Sequence, residues 1–242
     1  MRVLVIQHDH SSPIGPVGER FADRGYDVVT HAVVAEEHFT SPGVTTDFPD
    51  FTSFDAVVPM GAPWSTYDVA TVGTWVLPEL EQLRAADAAG VPVLGICFGG
   101  QLLAEAHGGS VQLSDRPEVG WYDVDSAAPD IVPPGPWFEW HYDAWSLPPG
   151  ATEIARNDNA SQAFVLRRNL AVQFHPELTS AMLAGWLANG GDLKARELGL
   201  DPDALLALTI AVDDRSRERA HALVDGFLAQ VADDLVRPAR SS

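Results

Sequence analysis

The only cysteine of the chain, Cys97, lies in the stretch VPVLGICFGGQLLAEAHGG, Val91–Gly109. Gly95 and Gly99 flank it at two residues on either side, which is the G-x-Nuc-x-G spacing of a nucleophile elbow with sulfur in place of a serine hydroxyl. The glycines matter because strand and helix approach closely at such a turn, and a Cβ at those positions would collide. A thiol at the first turn of a helix also faces unpaired backbone N–H groups and the positive end of the helix dipole, which favour a thiolate. The plain alternative is a small buried hydrophobe in an ordinary β-to-α turn.

A thiol nucleophile needs a base, and the stretch LAVQFHPEL, Leu170–Leu178, offers one. Ala171–Phe174 reads as a strand with His175 at its end and Glu177 two residues on. In an extended segment those two side chains project to one side, and Pro176 between them fixes the backbone. A carboxylate beside an imidazole selects its tautomer, orients the ring and stabilises the imidazolium. A third stretch, Met60-Gly61-Ala62-Pro63-Trp64, is a glycine-led loop after a strand, where open α/β sheets place their ligands and where backbone N–H groups can be offered to an anion. His8 and His10 fall on one face after the first strand and make a metal site conceivable. No matching ligand cluster lies nearby, so the expectation is a solvated loop and no metal.

The elements that must position these residues follow from hydrophobic periodicity. Val3–Gln7, Tyr26–His31, Ala56–Pro59 and the run from Val91 read as buried strands. They alternate with helices over Pro16–Arg24, stopped by Gly25, over Thr74–Ala89, with Val76, Leu80 and Leu83 on one side and charges on the other, and after Cys97. Pro42–Phe54 is a Pro/Asp/Thr-rich connection. Strand–helix alternation with short connections predicts an α/β fold, an open and mostly parallel sheet flanked by helices. After Gly109 the texture changes to short strand-like runs, Ser110–Leu113, Gly120–Asp125, Thr152–Ala155 and Ala163–Leu166, which predict antiparallel strands added at the sheet edge. Between them the aromatic segment Trp137–Trp145 reads as a rigid packed loop or as a wall of the cleft. From Asp192 the pattern is helical: Asp201-Pro202-Asp203 opens one helix and Asp213–Val236 forms a second. Asp213–Arg219 alternates sign, as expected of a solvated face. Whether this extension packs on the sheet or binds a partner stays open.

With 242 residues and 46% hydrophobic content the chain suits one substantial α/β core. A single cysteine excludes an internal disulfide. The net charge of −19 repels phosphate backbones and anionic lipid, so neither nucleic acid nor a membrane surface is an expected partner. The apolar run at Met1–Gln7 is too short for a signal peptide, and a cytoplasmic protein is expected.

Taken together, Gly95-Ile96-Cys97-Phe98-Gly99-Gly100-Gln101, Phe174-His175-Pro176-Glu177 and Gly61-Ala62-Pro63 resemble the class I, triad-type glutamine amidotransferases, the family that includes the amidotransferase domain of GMP synthase. Trp140-His141-Tyr142-Asp143 looks like the family's His-x-Asp segment, with Trp140 where Ser is usual. Ala62 stands where the family often has a second glycine. The resemblance runs from about Val3 to Leu187 and implies a flavodoxin-like amidotransferase domain over residues 1–190, followed by a helical extension over 191–242.

The resemblance implies a triad of Cys97, His175 and Glu177 acting on the glutamine side-chain amide through a thioester. It implies an oxyanion hole from the N–H of Phe98 and an N–H near Ala62, and substrate contacts from Gly61, Gln101, His141 and Asp143. It implies no cofactor, and no Walker pattern or ATP-pyrophosphatase segment is present. Ammonia would therefore go to a separate synthetase or acceptor protein, or be released. Two other readings stand beside this one: a γ-glutamyl amide or peptide hydrolase with the same triad, and a non-catalytic binding module.

Overall fold

The computed structural model describes residues 1–232. Its strands are β1 (Arg2–Gln7), β2 (Asp27–Ala32), β3 (Ala56–Pro59), β4 (Val93–Ile96), β5 (Ser110–Ser126), β6 (Gly135–Ser146), β7 (Thr152–Arg156), β8 (Ser161–Leu166) and β9 (Asn169–Val172). Its helices are α1 (Gly15–Asp23), α2 (Val69–Ala88), α3 (Phe98–Ala106), α4 (Ser180–Trp186), α5 (Asp192–Glu197) and α6 (Pro202–Gly226). The sheet order is β2-β1-β3-β4-β9-β8-β7-β5-β6. The β1–β2, β1–β3, β3–β4 and β4–β9 pairs are parallel, and the pairs from β9 outward to β6 are antiparallel. This is the architecture expected from the sequence, antiparallel edge included.

The central strands are apolar on both faces because both are covered. Leu4, Ile6 and Val57 point into a core shared with Val72, Trp75, Leu83 and Leu102 of α2 and α3. Val3, Val5, Val58 and Leu94 point the other way, onto Val17 and Phe21 of α1 and Leu223 and Val224 of α6. The C-terminal helix is thus a layer of the core. Arg20 of α1 and Arg24, the residue that caps its C-terminus, both hydrogen-bond Asp225 of α6, and those donors hold the Asp225 carboxyl well below the usual carboxylate range.

Several elements differ from the sequence expectation. Helix α2 starts at Val69 rather than near Thr74, because Asp68 accepts a hydrogen bond from the Thr71 N–H and caps it early. The two runs 110–113 and 120–125 are one strand, interrupted only by a register shift between Leu113 and Glu118. The aromatic segment is no loop: it is β6, with Trp137 and Phe138 buried on opposite faces. The expected pair of C-terminal helices is one continuous α6, with residues 233–236 of the second lying outside the described residues. Its alternating charges are partly engaged, since Asp213 accepts from the Ser180 N–H and hydroxyl and Arg217 pairs with Glu19.

The histidine pair is corrected as well. His8 is fully buried, with Nδ1 at 3.0 Å from the Met60 carbonyl and Nε2 at 3.0 Å from Glu79, a carboxylate that the helix pattern places among surface charges. Burial works to lower the His8 pKa, but the Glu79 charge and hydrogen bond outweigh it and the net shift is upward. His10 packs edge-on against Phe39. Among the described residues no cluster of His, Cys, Asp and Glu could hold a metal.

Candidate active site

Strand β4 ends at Ile96 and α3 begins at Phe98, leaving Cys97 alone to make the turn at φ 50°, ψ −106°. For a side chain other than glycine that conformation costs about 1–3 kcal/mol and persists only where its surroundings fix it. Three hydrogen bonds do so: Cys97 N–H to the Val172 carbonyl at 2.8 Å, Gly99 N–H to Met60 at 3.0 Å, and Gln101 N–H to Cys97 at 2.9 Å. The flanking glycines sit where no Cβ fits. One on Gly95 would lie 2.6 Å from the Gly99 carbonyl oxygen, and one on Gly99 would run into the Pro59 carbonyl.

His175 follows β9 and is 5% exposed, with its backbone N–H donating to the Phe138 carbonyl at 2.8 Å. Its Nδ1–H donates to Glu177 Oε1 at 2.8 Å across Pro176, so the same-side geometry expected for i and i+2 is present. That bond leaves Nε2 as the free nitrogen, buried and without a regular hydrogen-bond partner. The Cys97 side chain lies within electrostatic and hydrogen-bonding reach of the imidazole. Burial opposes the charged ring, yet Glu177 and the neighbouring sulfur outweigh it and raise the His175 pKa well above its ordinary value. Gly61 stands over both groups: a Cβ there would be 3.1 Å from His175 Cε1 and 3.8 Å from Cys97 Cβ.

These residues open into a cleft of about 350 Å³ that Gly61, Ala62, Gln101, His141 and Asp143 also line. Gln101 donates its amide to the Asp143 carbonyl and to Gln173 Oε1, both at 3.3 Å. His141 has both ring nitrogens engaged, Nδ1 with the Asp143 carbonyl at 2.9 Å and Nε2 with Glu118 at 3.0 Å. The Asp143 carboxylate accepts from the Ser65 and Tyr67 hydroxyls, which ties β6 to the loop after β3. Phe98 places its N–H at the first position of α3, next to the sulfur, while its ring packs on Trp75 and His8.

Sequence reasoning missed three neighbours of the site. Gln173 donates to the Cys97 sulfur at 3.5 Å, and the one signal for it was a polar residue two places before His175 in an apolar strand. Trp186 packs perpendicular to His175 with ring centroids 5.1 Å apart, and Gly15 hugs the Glu177 carbonyl so closely that a Cβ would overlap it. No local pattern announces either contact.

Glu118 and Glu139 form a further buried pair beside His141. Glu118 accepts from His141, Asn157, Asn159 and Gln162, and these donors hold its pKa below the ordinary value against burial. Glu139 is fully buried 3.6 Å from His141, and neither carboxyl oxygen has a hydrogen-bond partner. Burial, with the Glu118 charge added, pushes its pKa well above the ordinary carboxylate value, so folding favours the neutral acid over the charged one. An acid whose folded pKa exceeds its unfolded one costs nothing below the unfolded value and costs progressively more above it. Glu139→Gln is therefore expected to raise stability by about 1–3 kcal/mol at neutral pH. The gain should vanish below about pH 4, as paired denaturant titrations would read.

Comparisons with known proteins bear on the family and the fold. The family model for glutamine amidotransferase class-I matches residues 39–189. The glutamine-hydrolysing GMP synthase of Thermomicrobium roseum is 35% identical over 138 residues, covering 52% of this chain and 24% of that protein. A glutamine-hydrolysing GMP synthase subunit from Sulfolobus acidocaldarius is 36% identical over 138 residues, covering 52% of this chain and 68% of that protein. The chain thus spans about a quarter of the length of the full GMP synthases it matches. In structure it is similar to a glutamine amidotransferase from Thermotoga maritima, with a TM-score of 0.80 at 23% identity over 95% of this chain and 98% of that one. Another, from Methylobacillus flagellatus, gives 0.78 at 26% identity over 94% of each chain.

Proposed function

The chain belongs to the glutamine amidotransferase class-I family, and from that premise we propose that it hydrolyses the side-chain amide of glutamine through a thioester on Cys97. The observation that carries this reading is the single free nitrogen of His175: Nδ1 is committed to Glu177, and Nε2 is left for the thiol beside it. In the proposed reaction His175 takes the thiol proton and the sulfur attacks the amide carbon, with Glu177 stabilising the imidazolium. The oxyanion formed accepts from the Phe98 N–H and from an N–H near Ala62. Collapse breaks the C–N bond while His175 passes its proton to the leaving nitrogen. Water, deprotonated by His175, then cleaves the C–S bond and frees glutamate and the thiol.

Gly61, Gln101, His141 and Asp143 are assigned to the substrate's end of the cleft, Gln101 and His141 chiefly by holding the Asp143 segment in place. No helix among the described residues is long and apolar enough to cross a membrane. The similarity to a GMP synthase that is itself one subunit of its enzyme supports a separate synthetase as the acceptor of the ammonia.

The test is glutamate and ammonia formed in equal amounts from glutamine, together with modification of Cys97 by a glutamine-mimetic alkylator. Absence of both the products and the covalent adduct would defeat the proposal.

A further inference from the structure

The walls around His175 ask for more than ammonia as the leaving group. Whatever amine departs must touch His175 Nε2, because Nδ1 is held by Glu177 and the general acid has to reach the nitrogen it protonates. The ground next to that ring is aromatic. Trp186 packs perpendicular to the imidazole at 5.1 Å, and Trp140 packs perpendicular to Trp186 at 5.9 Å. Both indoles line the cleft and both remain part-exposed there. The Trp186 ring is fixed by its Nε1–H, which donates to the Ser12 hydroxyl at 3.2 Å.

Gly190 and Gly191 line the same cleft. A Cβ on Gly190 would meet nothing within 4 Å, whereas one on Gly191 would strike the Trp186 carbonyl oxygen at 2.6 Å and the tip of Trp140 at 3.0 Å. The chain thus leaves open space at Gly190 and packs closely on both indoles at Gly191. Phe39 and Trp64, a second aromatic pair at 5.7 Å, line the same cleft. Ammonia is about the size of a water molecule, roughly 30 Å³, and has no carbon surface to pack on an indole face. The cleft of about 350 Å³, which also has to hold the glutamyl part of the substrate, lies within the range of sites for organic ligands.

We infer that the preferred substrates are secondary γ-glutamyl amides whose nitrogen carries an apolar or aromatic group, seated against Trp186 and Trp140; this rests on Cys97 being the nucleophile proposed above. The chemistry balances without a further reactant. The Cys97 sulfur bonds to the amide carbon, the C–N bond breaks, and the amine leaves with a proton from His175. Water then replaces sulfur at carbon and yields glutamate. From these substrates the product is a free primary amine in place of ammonia.

The experiment compares kcat/KM of the full chain for glutamine, γ-glutamyl-methylamide, γ-glutamyl-butylamide and γ-glutamyl-benzylamide, reading glutamate. Active sites are counted by the alkylator. The expected result is a rise along the series, with benzylamide at least tenfold above glutamine, and a fall of that ratio towards one in Trp186→Ala. A ratio is insensitive to how much variant folds, and Trp140→Leu should move it the same way. Glutamine matching or exceeding every substituted amide overturns the inference while leaving the thioester reading intact. Alkylation of Cys97 without turnover of any amide overturns it as well. No turnover and no alkylation would remove the underlying reading too.

Discussion

Cys97→Ala is expected to abolish amide hydrolysis while leaving the fold unchanged. The thiol is 5% exposed, and its sulfur accepts from Gln173 at a long 3.5 Å and donates to the Trp140 carbonyl at 4.0 Å, so losing it removes little packing and only weak contacts. Alanine and cysteine meet the same backbone strain at φ 50°, and the hydrogen bonds that fix the turn are main-chain bonds. Stability should change by less than about 1 kcal/mol. Activity is different in kind, since without sulfur the His175–Glu177 pair has no nucleophile to deprotonate. Loss of the nucleophile costs on the order of 10⁶ in kcat in a comparable triad, which would take the rate to background. Glutamate release, intact-mass detection of the alkylated enzyme and thermal unfolding give the three readouts together. Full activity in this variant would refute the covalent route.

Gly99→Ala is the second large effect, and here the fold should suffer. A Cβ on Gly99 would be driven into the Pro59 carbonyl, with the Pro59 side chain 2.9 Å away. The obstacle is main chain on the neighbouring strand, so no rotamer change relieves it, and α3 must back away from β3. Overpacking of a tight core costs about 1–3 kcal/mol, and a collision with backbone belongs at the upper end. The elbow would move with the helix, and a displacement of about 1 Å at a reacting atom can cost 10²-fold in rate. Urea midpoints and glutamate release per alkylatable site should both fall. Gly185→Ala in α4 is the matched control: a Cβ there meets nothing within 4 Å, and the variant should be neutral or slightly more stable.

What the sequence made legible was local. The elbow spacing, the His-Pro-Glu string and the strand-helix alternation each lie within a few residues. The elbow turn and the alternation are found where expected, while β9 ends at Val172 and leaves His175 three residues beyond it rather than at its end. What it hid depends on pairs distant along the chain. Glu79 reads as a surface charge on a helix until His8, 71 residues away, arrives beside it. Strand β6 escaped recognition because alternation marks a strand with one wet face, and Trp137 and Phe138 are buried on opposite sides. Asp213 looks like the start of a helix because acidic residues favour that position. In the fold it lies inside α6 and captures Ser180 at the start of α4 instead. Glu139 carries no sequence mark, since its raised pKa comes from burial and from Glu118 rather than from its neighbours in the chain.

The grip of Arg20 and Arg24 on Asp225 reaches further than the surface it occupies. Those arginines fix α1 to α6, and Gly15 at the head of α1 lies against the carbonyl of Glu177, whose carboxylate orients the imidazole. From the other side Asp213 steadies α4, which ends on Trp186 against the same ring. A chain shortened at residue 190 would keep Cys97, His175 and Glu177 yet lose the brace on both flanks of the base. For anyone fusing or trimming this protein, the tail is part of the hinge-free mounting of the proton carrier rather than a detachable appendage.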